Sequence, residues 1–437
     1  MGADRPRKRT AASLDERKPR DRERATRTAW LRWDNALAAG VVATAVHLVI
    51  AACHSNPFGS SGFALFNFQA QAFLHGHLDL VTLPPSLHDL SLFDGRYYLY
   101  WQPFPAVVLM PFVALFGTGF SDILFNAVLG GIDVVLIALL LKHASLAGLT
   151  PLTQAQRGLL VLTFALGTAH LPLASYGRVW FTAQLVGFAC VALAYLASVC
   201  WSGPRAALAV GVALGCATLT RSHLLLAGLW PAVLLLVKLR DERRTVGKGS
   251  LGLPILARVA ALAAPVALSV GLVLAFNLVR FGNPLETGLR YQQMDDLFRA
   301  NFDRWGAFDL HYLSTNLFYQ FIFYPFPLSP ESLMGGSLFL LTPLLLAVFW
   351  AFKAPAARWS PWVLTVSIGL VAVPILLLMG TGWRQWGPRY TLDFTVPLIL
   401  LAALGLRHWP PWVIKMAAGL SVAQYLVGTL YFGTQIP

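Results

Sequence analysis

An aromatic, partly polar stretch leads into a long apolar run in two segments, FNFQAQAFLHGHLDL at 66–80 and HDLSLFDGRYYLYWQPFPAVVLMPFVALFG at 88–117. Such apolar runs recur along the chain, and twelve read as membrane spans: 36–53, 103–117, 121–142, 158–175, 180–200, 206–220, 222–238, 252–276, 333–352, 361–379, 393–406 and 411–432. Crossing about 30 Å of hydrocarbon takes about 20 apolar residues, and helix is the only open-chain structure that satisfies the backbone there. The sequence therefore predicts an all-α integral membrane protein with about 11–13 transmembrane helices.

The composition excludes a soluble domain. Of the 437 residues 57% are hydrophobic and 12% are charged, and the mean hydropathy is +0.61. Soluble domains carry about 25% charged residues. The four cysteines lie in or beside apolar runs, so the sequence predicts no disulfide framework.

Two basic clusters set the predicted orientation. Residues 1–34 hold eleven Lys or Arg and six Asp or Glu, with few apolar residues, which predicts a disordered basic cytoplasmic tail rather than a nucleic-acid-binding segment. A second cluster at 238–248 is also expected in the cytoplasm. Residues 35–437 would then form one multi-pass domain of the cytoplasmic (inner) membrane, with a cytoplasmic N-terminus.

Three breaks between apolar runs are predicted to lie on the outer face: 54–102, 277–330 and 380–392. The first two are long and rich in aromatic residues, so we expect structured loops rather than disorder. In the first loop, apolar residues at helical spacing predict a short helix on the membrane surface; they are Phe63, Phe66, Ala70, Phe73 and Leu74. Twelve complete spans would put the two basic clusters on opposite faces, so either 103–117 or one of the pair broken at Arg221 does not cross fully.

Ionisable residues near the membrane are the candidate functional groups, because their burial is costly. His88-Asp89 fits a general base or a metal ligand, and Asp89 fits equally a residue that caps a local turn. Asp79 is the second candidate carboxylate of this loop. Asp122, Asn126 and Asp133 share one helix face, which indicates either interhelical hydrogen bonds or a pathway through the membrane.

Arginine is the expected phosphate ligand, because its guanidinium matches phosphate oxygens with two parallel hydrogen bonds. Arg384 and Arg389 lie close together beside Trp386 and Tyr390 at the start of a span, and Arg290 and Arg96 are further candidates in the outer loops. The alternative for Arg384 and Arg389 is snorkelling to the interface or pairing with Asp393.

The two opening segments resemble the first outside loop and second span of membrane glycosyltransferases of the GT-C class. The relatives in question are bacterial proteins similar to the dolichyl-phosphate-mannose protein mannosyltransferases and the lipid A aminoarabinose transferase. VWFTAQ at 179–184, NLVRFGNPLETGLRYQ at 277–292 and RQWGPRYTLDFTVP at 384–397 look like later landmarks of the same group. The resemblance covers most of residues 36–406.

This resemblance implies an inverting transfer of sugar from a polyprenyl-phosphate donor to a glycan, lipid or protein acceptor on the outer face. It also implies an acidic base in the first outside loop and a divalent metal, Mg²⁺ or Mn²⁺. The segments where the family carries its acids, Ser60–Gly62 and Phe181–Gln184, hold none here. The base would then be Asp89 or Asp79, and the metal ligands His88 and Asp89.

Two other functions remain open on the sequence. A transporter or lipid flippase would use the stripe of Asp122, Asn126 and Asp133, whereas a non-catalytic GT-C-like assembly protein would explain the missing acids. A cavity at the outer end of the helices lined by acids and arginines would favour the enzyme. A cavity at mid-membrane would favour the transporter.

The shared outer face gives the first prediction. Single cysteines placed in 54–102 and in 277–330 of a cysteine-free chain should both react with a membrane-impermeant thiol reagent in intact cells, because the basic clusters stay inside. A cysteine placed in 238–248 serves as the inside control. Labelling of only one of the two loops would contradict a site shared between them.

Overall fold

Apolar runs become helices in the computed structural model, which describes residues 36–246, 252–353, 358–382 and 384–435. The predicted tail at 1–34 lies outside the described residues. The α-helices are Ala36–Ala52 (α1), Leu65–Leu74 (α2), Phe104–Phe116 (α3), Asp122–Leu146 (α4), Gln154–Leu166 (α5), His170–Ser175 (α6), Val179–Cys200 (α7), Gly203–Thr218 (α8), Leu229–Val246 (α9), Gly252–Phe281 (α10), Asp296–Trp305 (α11), Leu313–Leu317 (α12), Leu338–Leu341 (α13), Trp359–Leu376 (α14), Thr395–Leu406 (α15) and Pro411–Gln435 (α16).

Seven helical segments of the described residues are long and apolar enough to cross a membrane: Asp122–Leu146, Val179–Cys200, Ser222–Arg244, Ile255–Phe281, Trp359–Leu376, Arg389–Leu406 and Pro411–Gln435. Short 3₁₀ turns at Ser222–Gly228 and Arg389–Phe394 lead into two of these segments. The all-α membrane class predicted from the sequence is confirmed, and the chain is a multi-pass membrane protein.

Four further apolar helices are shorter than a full span: Ala36–Ala52, Phe104–Phe116, Gly203–Thr218 and Pro343–Lys353. At 1.5 Å per residue, the 13 residues of α3 reach about 20 Å, which is less than the hydrocarbon thickness of about 30 Å. The predicted span at 158–175 is divided between α5 and α6 by a break at 167–169. At this break Gly167 packs against Ser421 of α16, and an added Cβ would lie 2.9 Å from the Cβ of Ser421.

Helices α7 and α15 form the centre of the bundle, and small residues allow the surrounding helices to approach closely. All twelve residues of α15 are buried. Where α1 crosses α4, a Cβ on Gly131 would lie 2.0 Å from the Thr44 hydroxyl and 2.7 Å from the carbonyl of Gly40. Replacing either glycine would therefore push the two helices apart.

The long break at 54–102 is structured. It contains α2, whose Phe66 and Ala70 are buried as core rather than laid on a surface, and a β-hairpin of Leu90–Phe93 (β1) and Arg96–Leu99 (β2). The hairpin turns at Asp94-Gly95, both with positive φ. A short parallel pair, Met334–Gly335 (β3) with Gln385–Trp386 (β4), lies elsewhere in the chain.

The hairpin joins the breaks at 54–102 and 277–330 directly. Ser91 pairs with Gln292 in an antiparallel β-bridge, and the Ser91 hydroxyl donates to the carbonyl of Gly288 at 2.8 Å. The Asp89 N–H donates to the carbonyl of Gln293 at 2.9 Å. Because the two segments touch, they lie at the same end of the bundle, and the membrane face of that end stays a prediction.

Candidate active site

A cavity of about 730 Å³ lies where the irregular segments meet. Its walls come from the hairpin side (88–102), the segment after α10 (287–308) and the segment between α14 and α15 (374–390), while Arg178 and Arg221 enter from the ends of two helices. Aromatic and cationic side chains dominate this lining. Of the candidates predicted from the sequence, the cavity brings together His88, Asp89, Arg384 and Arg389.

Asp89 is held by both its backbone and its side chain. It adopts φ 68°, in the left-handed region that Asp tolerates better than most residues, just before β1. The Gln292 side-chain amide donates to its carboxylate, and the Nε2 of His88 lies 3.7 Å from the same oxygen. A role in capping a local turn does not account for these contacts, because the carboxylate accepts from Gln292, far along the chain, and lines the cavity.

Burial raises the pKa of Asp89, which is only 5% exposed, because removal from water penalises the charged form. His88, the amide of Gln292 and the indole of Trp180 act in the opposite direction by stabilising the carboxylate. A carboxylate with a raised pKa is a stronger proton acceptor than an exposed one, provided that it is ionised.

Arg389 is a buried cation without a carboxylate partner. Its Nε donates to the carbonyl of Gly382 at 3.1 Å, and its Nη1 and Nη2 approach Gln184 Oε1 at 3.4 Å and the Tyr390 hydroxyl at 3.2 Å. Within the described ranges it forms no ion pair, and the alternative of pairing with Asp393 is not what the structure contains. These three contacts fix the guanidinium in place at the cavity, and the Asp89 carboxylate is near enough for the two charges to interact.

Asp393 instead pairs with Arg221 and His223, a cluster that sequence analysis missed. One buried oxygen of Asp393 lies 3.0 Å from Arg221 Nη2 and 2.8 Å from His223 Nε2. Arg221 and Arg389 both lie against the ring of Tyr390, with 5.5 Å and 4.5 Å from guanidinium carbon to ring centre. Two guanidiniums thus flank one aromatic ring at the cavity wall.

Arg178 is a further cation that the sequence did not single out as a site. It precedes α7, is 8% exposed, and lies 5.1 Å and 5.9 Å from the ring centres of Phe63 and Trp180. Burial lowers its pKa to about 10, and the nearby positive charge of Arg384 adds to this effect. Arg384 is exposed and has φ 51°.

The other predicted residues lie elsewhere. Asp79 is not among the cavity residues; it lies 3.5 Å from His77 and 3.9 Å from Arg96 in partly exposed ion pairs. Arg290 is exposed and is also absent from the cavity lining, although its carbonyl accepts from Arg299. The sequence alone does not indicate which of the loop residues point into the cavity.

Two of the three polar residues of the α4 stripe form hydrogen bonds with other segments, and the third, Asp133, forms none among the described residues. Both oxygens of Asp122 accept from Ser61, at 2.8 Å from its N–H and 2.6 Å from its hydroxyl. Asn126 donates to the carbonyl of Tyr176 at 3.1 Å. Asp133 lies 3.8 Å from His170, and both are fully buried. None of the three stripe residues lines the 730 Å³ cavity.

A divalent metal does not fit the donor set of the cavity. His88 and Asp89 offer two adjacent ligands, and no group of three His, Cys, Asp or Glu suited to a metal ion occurs in the part of the chain that the structure describes. Mg²⁺ and Mn²⁺ prefer several oxygen ligands. The cavity also holds Asp295, His223 and four arginines, whose positive charges disfavour a cation, and no step of the proposed reaction passes through a metal.

No protein-family model and no curated protein matches the chain. Solved structures do resemble it: the ArnT of Cupriavidus metallidurans bound to undecaprenyl phosphate has 18% identity over 89% of this chain and 62% of that one, with a TM-score of 0.49. The oligosaccharyltransferase of Archaeoglobus fulgidus in its apo form has 14% identity over 93% of this chain and 56% of that one, with a TM-score of 0.47.

Both similar proteins are GT-C glycosyltransferases, the class indicated by the sequence resemblance. The chain spans less than two thirds of the length of either. At these identities and TM-scores, the similarities carry no residue-by-residue correspondence, so residue roles rest on the geometry above.

The Asp393 cluster gives a stability prediction. Asp393→Asn leaves Arg221 buried without its counter-charge, and breaking such a pair costs about 3–5 kcal/mol of folding stability. Asp303→Asn is the matched control, because Asp303 pairs with Arg299 at 3.8 Å with 64% of its side chain exposed. The thermal unfolding midpoint in detergent should fall for Asp393→Asn and hardly change for Asp303→Asn; equal midpoints for both variants would remove the cluster's structural role.

Proposed function

We propose that this protein is a membrane glycosyltransferase that moves a sugar from a polyprenyl-phosphate donor to an acceptor on the outer face of the cytoplasmic membrane. The observation that carries the proposal is one cavity that contains a buried carboxylate, Asp89, and a fixed guanidinium that forms no ion pair among the described residues, Arg389. Glycosyl transfer from a phosphate needs both groups: a base for the acceptor and a cation for the departing phosphate.

The reaction follows from these positions. The acceptor hydroxyl attacks the anomeric carbon of the sugar, and its proton passes to the Asp89 carboxylate. The bond between the anomeric carbon and the phosphate oxygen breaks, and the polyprenyl phosphate leaves with that electron pair. A single displacement of this kind inverts the anomeric configuration.

Arg389 and Arg221 are the proposed ligands of the donor phosphate. Both guanidiniums lie near the ring of Tyr390, and both residues line the same cavity. Arg221 Nη1 is buried and has no hydrogen-bond partner within the described residues, which suits a donor waiting for a phosphate oxygen. The cation pair thus replaces the predicted pair of Arg384 and Arg389.

An apolar groove beside the cavity suits the hydrocarbon chain of such a donor. The groove has a volume of about 400 Å³, and its lining includes Phe104 of α3, Leu219 after α8 and Phe276 of α10. It adjoins the cavity along the chain, since Trp101 and Gln102 line the cavity and Pro103 lines the groove. A phosphate in the cavity could therefore carry its isoprenoid chain into the groove.

Arg389 gives a prediction on donor binding. Arg389→Lys keeps the charge but loses the planar fork, so affinity for a polyprenyl monophosphate should fall about tenfold, the equivalent of one charged hydrogen bond. Arg304→Lys, in α11 and outside the cavity lining, is the control and should bind like the wild type. Isothermal titration in detergent measures both, and an Arg389→Lys chain with wild-type affinity would show that no bidentate contact forms.

Asp89 gives the prediction that tests the enzyme itself. Asp89→Asn keeps the shape and the left-handed backbone but cannot accept a proton, so sugar transfer should fall about 10²–10⁴-fold. In the wild type, activity should decline as pH falls through the raised pKa of Asp89, because protonation removes the base. Radiolabelled sugar transfer in membranes with equal protein levels measures the rate.

Asp94→Asn is the matched control, because Asp94 also has positive φ but belongs to the hairpin turn. It should retain nearly full activity. Full activity in Asp89→Asn would remove Asp89 from the mechanism, and transfer that is absent from the wild type would favour the non-catalytic assembly protein.

A further inference from the structure

Four arginines line the cavity: Arg178, Arg221, Arg384 and Arg389. Two carboxylates, Asp89 and Asp295, line it as well. Asp393 pairs with Arg221 at 3.0 Å, and Asp89 lies near enough to Arg389 for their charges to interact. Arg178 and Arg384 form no ion pair among the described residues, and their neighbouring positive charges repel one another.

Arg178 is a mostly buried cation without a hydrogen-bond acceptor or an ion-pair partner among the residues that the structure describes. Its guanidinium contacts the rings of Phe63 and Trp180. Asp122 is the nearby carboxylate and its charge attracts Arg178, but Ser61 donates to both of its oxygens. The guanidinium lines the cavity, so its donors are available to an anion that binds there.

The rim segment holds Arg384 beside Arg178 through an unusual backbone. Arg384 has φ 51°, and Gly380 and Gly382 before it have φ 85° and 105°. Residues other than glycine seldom adopt positive φ, so the placement of Arg384 here has an energetic cost that ordinary loop closure does not demand. Its side chain is exposed and lines the cavity mouth.

We propose that Arg178 and Arg384 form a second oxyanion subsite, separate from the cation pair at Tyr390, which binds a phosphate or carboxylate group. This inference rests on the proposed function and deepens it: the acceptor is an acidic molecule, or the donor is a diphosphate whose second phosphate reaches this subsite. The shared chemistry is a second negatively charged group bound at the same time as the first phosphate.

The test uses the full chain in detergent with three probes: a short polyprenyl monophosphate, the matching diphosphate and inorganic phosphate. With the monophosphate saturating, wild-type protein should still bind about one equivalent of inorganic phosphate. Arg178→Gln should weaken that phosphate binding at least about tenfold and change monophosphate affinity by less than about threefold. Arg304→Gln should change neither affinity.

The diphosphate distinguishes the source of the second charge. If the donor supplies it, the diphosphate binds more tightly than the monophosphate, blocks inorganic phosphate, and loses its advantage in Arg178→Gln. If the acceptor supplies it, the two lipids bind equally and inorganic phosphate still binds beside either. Arg384→Gln, an exposed rim change, repeats the test if Arg178→Gln fails to fold.

Two results would overturn the second subsite: competition between inorganic phosphate and the monophosphate for one site in the wild type, or unchanged phosphate binding in Arg178→Gln and Arg384→Gln alike. Failure of the proposed function has a different signature. In that case the wild-type chain would bind no polyprenyl monophosphate but would still bind inorganic phosphate, and this binding would depend on Arg178. The second subsite would then stand, and the proposed donor would be wrong.

Discussion

Hydrocarbon offers backbone amides no hydrogen-bond partners, so the chain can leave the helical conformation at membrane depth only where protein or water replaces the missing partners. The irregular segments of this structure, which are predicted to lie on the outer face, converge at one end of the bundle and supply such partners to one another. The stretch before α3, the stretch after α10 and the stretch between α14 and α15 all border one cavity. Their backbone groups bond to one another, as between Asp89 and Gln293.

Much of the fold could be predicted because hydropathy reports burial in lipid directly. The spacing of apolar residues also predicted α2, and the gaps between apolar runs identified the breaks at 54–102 and 380–392. His88, Asp89, Arg384 and Arg389 in these breaks line the cavity. The division of 158–175 into α5 and α6 was not predictable, since it depends on Gly167 packing against a helix far along the chain.

Contacts between residues far apart in the chain could not be predicted from the sequence. Arg221 marks a break between two apolar runs and Asp393 opens another, and each alone is an ordinary helix-end charge. Only the fold brings the two residues to 3.0 Å and places Arg221 beside the ring of Tyr390. The same applies in reverse to Asp122, which stood out in the sequence as an intramembrane acid and whose oxygens accept hydrogen bonds from Ser61 in a distant loop.

The left-handed backbone at Asp89 limits which substitutions a lineage can explore there. Asparagine shares the tolerance of aspartate for that conformation, whereas most other side chains strain it. Aspartate and asparagine codons differ by one nucleotide. A single base change would therefore replace the proposed proton acceptor by an amide of the same shape, so that a descendant could keep the architecture of the cavity and lose the proposed base.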